Sequence, residues 1–331
     1  MEIVLEFKDI FMIEKIKDFV KWNLRGIAQI MFQRNATTGL IFLTAIVYCS
    51  WHMAIGLLIG TVTGTTLGYL LDTKRGAKGV KKGMYGFNAA LMGIIIVFQF
   101  GLSWASVGWI VGSAAITSLM MYFAMLKEVR IFTFPFVFLS WIVIYLINSQ
   151  ELLPLVLHPT VDENLLQQPI TEMFERFLVF IGMSYQDERL DDVLIFATHG
   201  FGQIMFQTSF LASLMFLIGV YVNKPVAALY GMFASILAIT ISRMIEGTEV
   251  IINTGMVSFN AVLCAIAFSG TRHRDGLFVI ISTLLTVLLD SLMNKLNIPA
   301  YTFPFVLTMW ILLFAEKRIR RMSNMFTTDV D

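Results

Sequence analysis

The chain has 331 residues and a formal net charge of +1, with 57% hydrophobic and only 14% charged residues. Because a soluble globular protein carries about 25% charged residues, this composition excludes a soluble enzyme, and the near-zero net charge excludes a nucleic-acid binder. Most of the chain must therefore lie in a lipid bilayer.

The N-terminal segment, residues 1–24, is charged rather than apolar. Its first 22 residues mix acidic side chains, such as Glu2 and Glu6, with basic ones, such as Lys8 and Lys15. A secretory signal peptide has a basic start followed by an apolar run, so this pattern does not fit one. We expect a cytoplasmic amphipathic helix here.

Ten apolar runs follow, with lengths close to the roughly 20 residues that a spanning helix requires. Five lie within a first unit, residues 25–150, and five within a second unit, residues 193–316; an acidic extracellular connection at 151–192 separates the units, and a basic cytoplasmic tail occupies 317–331. The sequence therefore predicts an all-α integral membrane protein with ten transmembrane helices. The predicted spans are 36–50, 53–72, 84–100, 104–126, 131–149, 208–222, 225–244, 256–271, 276–296 and 300–316.

The basic clusters of the loops give one consistent orientation. Lysines and arginines are enriched in cytoplasmic loops, and here they cluster at 74–82, 127–130, 272–274 and 317–321. With ten spans and a cytoplasmic N-terminus, all four clusters lie on the cytoplasmic side. We therefore expect both termini to be cytoplasmic and the acidic connection to be outside.

Three sequence blocks occur in both units in the same order. Gly-x-x-Gln-Ile-Met-Phe-Gln occupies 26–33 and 200–207, and Gly-Met-x-x-Phe-Asn-Ala-x-Leu occupies 83–91 and 255–263. Thr-Phe-Pro-Phe-Val occupies 133–137 and 302–306. Because each unit has an odd number of spans, the second copy must enter the membrane from the opposite face. This pattern predicts two inverted five-helix repeats, with half-spanning or interrupted pore helices near the midplane.

The third block places polar groups in an apolar setting. Pro135 and Pro304 each lack an N–H, so the carbonyls of Ile131 and Ala300 would lose their helical partners. A single Thr-x-Pro is more often a plain helix kink. Its occurrence in both units instead favours a wet path lined by Thr133 and Thr302, with the prolines as helix-breaking support.

The first two blocks supply paired amides and rings. Gln29 and Gln203 offer neutral oxygens and donors, and the rings three residues later share their helix face. Each Phe-Asn pair is followed one turn later by a leucine, so ring and leucine lie on one face; such a stripe is usually core, whereas two facing rings would form a flat slot. Asn88 and Asn260 are expected to brace nearby backbone. The ring and leucine candidates are Phe32, Phe206, Phe87, Leu91, Phe259 and Leu263.

Ionisable residues are nearly absent from the predicted spans, Asp290 being the main exception. Intramembrane charge is typical of ion pathways and coupled pumps, so its scarcity favours passive movement of an uncharged solute. We find no histidine pair at ligand spacing and no catalytic motif, and we expect no enzyme activity, cofactor or metal. Urea, which is small, flat and rich in N–H donors, fits a path of neutral oxygens and aromatic slots.

At these residues the chain resembles the urea transporter family. The family signature, Leu-Pro-x-x-Thr-x-Pro-Phe, is nearly complete at 298–305, whereas 129–136 has Val-Arg in place of Leu-Pro. The resemblance implies a channel-like homotrimer in a bacterial inner membrane with one urea path through each protomer. It implies that Phe87 and Phe259 form the slots and that Leu91 and Leu263 form the constriction. It also implies filter roles for Gln29, Phe32, Thr133, Gln203, Phe206 and Thr302.

Three other functions stay open on sequence grounds. The chain could conduct another small neutral solute, such as ammonia, water or a short amide. It could be a proton-coupled carrier that uses Asp290 or Asp72, or a non-transporting scaffold or sensor. Comparative flux measurements separate these alternatives from urea conduction.

Overall fold

The computed structural model describes residues 2–73, 76–156, 172–173, 176–177, 179–180, 190–246 and 255–328, and these residues include helices but no β-strand. Most of the acidic connection predicted at 151–192 lies outside the described residues, as do Lys74 and Arg75 of the basic loop and the loop at 247–254. The prediction of an all-helical membrane protein is confirmed for the described part of the chain.

Seven helices form the first half of the described chain. They are α1 (Glu2–Gln29), α2 (Ala36–Cys49), α3 (Trp51–Asp72), α4 (Lys78–Lys81), α5 (Gly86–Phe100), α6 (Trp104–Leu126) and α7 (Phe134–Ser149). The segment expected to be amphipathic forms the start of α1.

The second half contributes six further helices. They are α8 (Leu190–Gln203), α9 (Phe210–Asn223), α10 (Pro225–Glu246), α11 (Phe259–Phe268), α12 (His273–Lys295) and α13 (Phe303–Thr328). Each predicted apolar run overlaps one helix, and α13 continues beyond its run into the predicted basic tail. Among the described residues, α3, α6, α10 and α12 are long and apolar enough to cross a membrane, whereas α2, α5, α7, α9 and α11 are apolar but shorter.

Glycines allow very close packing of α3 on α5. A Cβ atom added to Gly93 would collide with the backbone oxygen of Gly56, and one added to Gly60 would collide with that of Ala89. Small residues at such contacts let backbones approach closely, which is how helices associate in lipid. This packing fixes α5, which carries Phe87 and Leu91.

The two halves meet in part through α2 and α9. The ring centroids of Phe42 and Phe216 are 5.3 Å apart at an interplanar angle of 69°. The Thr38 hydroxyl donates a 2.8 Å hydrogen bond to the backbone oxygen of Gly219. A polar contact of this kind is favourable in an apolar interface because no water competes for the carbonyl.

Left-handed backbone conformations occur at matching positions of the two halves. Side-chain-bearing residues rarely adopt positive φ, yet such residues follow α1 and α8 and precede α7 and α13. The pairs are Phe32 and Phe206 (both 59°), Glu128 and Asn297 (55° and 53°), and Phe132 and Tyr301 (50° and 43°). Two glycines also match, Gly83 before α5 and Gly255 before α11 (76° and 78°). The chain therefore makes the same unusual turns twice.

Candidate functional site

Two threonines, one from each half, meet in the interior. The Oγ1 atoms of Thr133 and Thr302 are 2.7 Å apart and share a hydrogen bond. The two residues are only 2% and 4% exposed. Each immediately precedes an apolar helix, α7 or α13, so the N-termini of these helices converge on the shared bond.

The residues after each threonine explain why its hydroxyl is free to make this bond. A threonine before a helix normally caps it by accepting from the N–H of the second or third helical residue. Pro135 occupies the second position and has no N–H. The third N–H, that of Phe136, donates instead to Asn88 Oδ1 at 3.3 Å. Thr133 makes no capping hydrogen bond with its side chain, so its hydroxyl faces Thr302.

The second half repeats this arrangement. Pro304 is the second residue of α13, and the N–H of Phe305 donates to Asn260 Oδ1 at 3.3 Å. In each half the asparagine amide also donates at 3.1 Å to the carbonyl of the residue before the threonine, Phe132 or Tyr301. The expected bracing role of both asparagines is therefore confirmed.

The carbonyls expected to be unpaired near the prolines have partners. The oxygens of Ile131 and Ala300 each accept a 2.9 Å hydrogen bond, from the N–H groups of Phe134 and Phe303. The expectation was wrong because the prolines lie in the first turn of their helices, where the missing N–H would have no intrahelical partner anyway. The helices begin at this point and are not broken there.

Gln29 and Gln203 end α1 and α8 and present unsatisfied acceptors. Among the described residues, neither Oε1 atom has a hydrogen-bond partner, although both atoms are buried. Burying a polar group without a partner costs free energy, and most buried polar groups in proteins are paired. Both oxygens are therefore placed to accept a hydrogen bond from a solute with N–H donors.

The expectation that each phenylalanine shares a helix face with its glutamine was wrong, because α1 and α8 end at Gln29 and Gln203. Phe32 and Phe206 lie beyond these ends, in left-handed turns. The ring centroid of Phe32 is 5.7 Å from that of Phe305, and that of Phe206 is 6.5 Å from that of Phe136. Each ring thus packs against the first turn of α13 or α7, in the other half of the chain. Conformations of this kind in bulky residues cost about 1–3 kcal/mol each and cluster at functional sites.

A cavity of about 770 Å³ brings together the first-half candidates Gln29, Phe32 and Phe87. Phe132 and Met309 also line it, so it reaches the residues beside the threonine pair. The other candidates are not among its lining residues. Leu91 and Leu263 are fully buried in the core, and Phe259, Gln203 and Phe206 are half-buried.

Charged groups line the exposed end of this cavity. Lys224, between α9 and α10, donates to the Ser269 carbonyl and hydroxyl at 2.6 and 2.7 Å. Burial lowers the pKa of the Lys224 ammonium below its ordinary value, and the Asp275 carboxylate partly opposes this shift. Arg274 lies 3.9 Å from Glu316. The buried end, by contrast, is lined by neutral amides and rings.

Metal ligands and reactive thiols do not contribute to the described site. No group of three histidine, cysteine or carboxylate residues in the described ranges could hold a metal ion. Cys49 and Cys264 are free and buried.

Sequence reasoning gave no role to Trp141 and Trp310, which make matching hydrogen bonds across the two halves. Trp141 Nε1 donates to the Pro299 oxygen at 2.8 Å, and Trp310 Nε1 donates to the Arg130 oxygen at 2.9 Å. Each tryptophan follows its threonine by eight residues. This equal spacing in both units is the sequence feature that could have indicated a shared role for the two tryptophans.

Comparisons with known proteins agree with the motifs. The model of the urea transporter family matches residues 20–317. The chain is similar to urea transporter 1 of Ovis aries, with 26% identity over 320 residues that cover 90% of this chain and 78% of the relative. It is similar to urea transporter 1 of Rattus norvegicus, with 24% identity over 322 residues that cover 91% and 78%.

Proposed function

Because the chain belongs to the urea transporter family, we propose that it conducts urea passively across a membrane through a pore between its two halves. The observation that carries the proposal is the buried hydrogen bond between Thr133 and Thr302. It lies where the two halves join, close to a cavity whose buried end is neutral. A solute crossing this point meets hydroxyl and amide oxygens and no charge.

The paired side chains divide the path into stages. Urea enters the cavity past the charged rim and donates its N–H groups to Gln29 Oε1 between the rings of Phe32 and Phe87. It then passes the threonine pair and the constriction of Leu91 and Leu263. On the far side it meets the equivalent second-half set, Gln203, Phe206 and Phe259. The flat rings select a planar solute, and the oxygens select one with several donors.

A passive mechanism follows from the scarcity of charge along this path. Coupled transporters use intramembrane ionisable groups as relays. Asp290 accepts a 2.9 Å hydrogen bond from Asn260, and Asp72 accepts a 3.0 Å bond from the Gly79 N–H. Both carboxylates therefore have structural contacts, and neither lines the cavity beside Gln29.

The chain spans the membrane ten times as two inverted repeats, with both termini in the cytoplasm. The matching left-handed turns and the crossed contacts between halves support the repeat. The charged residues lining the cavity fall on the side that the basic clusters assign to the cytoplasm, so the cavity is the inner mouth. We also propose that the chain forms a homotrimer in a bacterial inner membrane, on the basis of the resemblance of its motifs to the family.

Urea flux into proteoliposomes tests the function. The wild-type chain should accelerate urea entry, and a protonophore should leave that flux unchanged. Thr302→Val should lower the flux strongly because it removes a pore hydroxyl, whereas Thr302→Ser keeps the hydroxyl and should retain most of it. Flux abolished by the protonophore would overturn passive conduction. If the protein conducted ammonia or water but not urea, its solute would be one of those molecules instead.

A further inference from the structure

Trp141 and Trp310 connect each pore helix to the loop of the opposite half. Trp141 belongs to α7, but its indole N–H donates to the backbone oxygen of Pro299, in the loop before α13. Trp310 belongs to α13, and its N–H donates to the oxygen of Arg130, in the loop before α7. The two hydrogen bonds cross between the halves in opposite directions.

Aromatic packing fixes the orientation of both indoles. The ring centroids of Trp141 and Phe303 are 5.2 Å apart at 58°, and those of Trp310 and Phe134 are 5.3 Å apart at 52°. Phe303 and Phe134 are the first residues of the opposite pore helices. Each tryptophan therefore contacts both the loop and the first turn of the helix that the other half contributes.

The position of the acceptor links these contacts to the site. Arg130 and Pro299 each lie three residues before a pore threonine, Thr133 or Thr302. The acceptor is a backbone carbonyl, which any residue provides. Arginine can therefore replace the proline of the family signature at residue 130 without loss of the contact, because the proline ring takes no part in it.

We propose that Trp141 and Trp310 are positioning residues that hold the two threonine hydroxyls within hydrogen-bonding distance of each other. Trp310 holds the loop that presents Thr133, and Trp141 holds the loop that presents Thr302. This proposal rests on the proposed function, because the test detects a displaced threonine hydroxyl by a change in which solutes the pore conducts. Neither tryptophan touches the solute; each acts through the threonine of the opposite half.

The test compares Trp141→Phe and Trp310→Phe with Trp104→Phe in proteoliposomes. Phenylalanine keeps a ring for packing and removes the N–H donor. Trp104, at the start of α6, is 92% exposed and is the matched control. Both pore-helix variants should lower the urea to N,N′-dimethylurea permeability ratio by about threefold to tenfold, the population change expected for loss of one hydrogen bond. The control ratio should stay at the wild-type value.

A double-mutant cycle separates positioning from a general structural role. If Trp310 acts through Thr133, then Trp310→Phe should change the ratio in the wild-type background and have little further effect beside Thr133→Val. Independent effects that simply multiply would overturn the proposal. So would an unchanged ratio in both single variants while the wild-type protein conducts urea.

Hydrogen exchange gives a readout that does not depend on transport. Trp310→Phe should speed amide exchange in the loop at 127–133 and leave the loop at 297–302 near its wild-type rate, and Trp141→Phe should do the reverse. Exchange that rises equally in both loops would overturn the crossed assignment. If the two variants show the crossed exchange pattern but the wild-type protein conducts no urea, the proposed function is overturned while the positioning contacts stand.

Discussion

At the scale of single residues, two glutamines four positions apart have opposite environments. Gln29 Oε1 is buried without a partner in the described chain. Gln33 is satisfied at both ends of its amide: Nε2 donates to the Met31 oxygen, and Oε1 accepts from Asn223, both at 2.7 Å. An unpaired buried acceptor costs stability, whereas a paired one contributes to it. The contrast supports the proposal that Gln29 meets a solute, whereas the contacts of Gln33 serve the fold.

Substituting each glutamine by leucine tests this difference. Gln29→Leu should leave the melting temperature in detergent unchanged or raised while lowering urea flux by roughly twofold to tenfold, the effect of losing one hydrogen bond. Gln33→Leu should lower the melting temperature, because the buried Met31 carbonyl loses its partner at a cost of about 1–3 kcal/mol and the hydrogen bond from the exposed Asn223 amide is also lost. A fall in stability of equal size in both variants would contradict the assignment of Gln29.

The sequence was sufficient to pair the candidate residues but not to predict their contacts. Recurrence identified both threonines, yet only the folded chain shows that Pro135 and Asn88 release the Thr133 hydroxyl from capping. The folded chain also corrects the prediction that the Ile131 and Ala300 carbonyls are unpaired, because their pairing depends on where the two helices begin. Contacts between distant segments, such as Trp310 with Arg130, depend on the packing of the halves and have no local sequence signal.

At the scale of helices, apolar length predicted the position of most helices and missed α4 and α8. Most helices begin and end within a few residues of the predicted runs, because the apolar segments are bounded by charged or glycine-rich turns. The exception is α13, which continues to Thr328, about twelve residues past the predicted end at 316. α8 was not among the predicted apolar runs, since it contains His199, Gln203 and two glycines. Its match to the end of α1 was visible only as a repeated sequence block.

The contact of α3 with α5 gives a prediction about helix packing. Gly93→Ala should destabilise the protein by about 1–3 kcal/mol, because its Cβ would meet the backbone of Gly56, which cannot move as a side chain can. Gly276→Ala, in α12, is the control, since its Cβ would approach Tyr230 Oη only to 3.4 Å. The control should be neutral or stabilised by up to about 1 kcal/mol. Thermal unfolding in detergent measures both, and equal destabilisation would contradict close α3–α5 packing as the cause.

At the scale of the whole molecule, the repeat places chemically similar groups on both sides of one central contact. Each half contributes a glutamine, a strained phenylalanine, an asparagine brace and a threonine. The surroundings of the two sets differ, because Met121 lines the cavity and the residue at the same place in α12, Asp290, bonds Asn260. Inversion would put these two surroundings on opposite faces of the membrane, so the two mouths differ although the centre is symmetric.

Cysteine labelling at two matched helix ends tests that inversion. Lys127 follows α6 and Leu296 follows α12; both helices have 23 residues, and both positions are exposed. In cells, a membrane-impermeant maleimide should label Leu296→Cys from outside and should label Lys127→Cys only after the membrane is opened. The native Cys49 and Cys264 are buried, so the wild-type chain is the unlabelled control. Because the two sites occupy the same place in their repeats, labelling of both from one side would contradict inversion, and with it the entry of the two threonines from opposite faces.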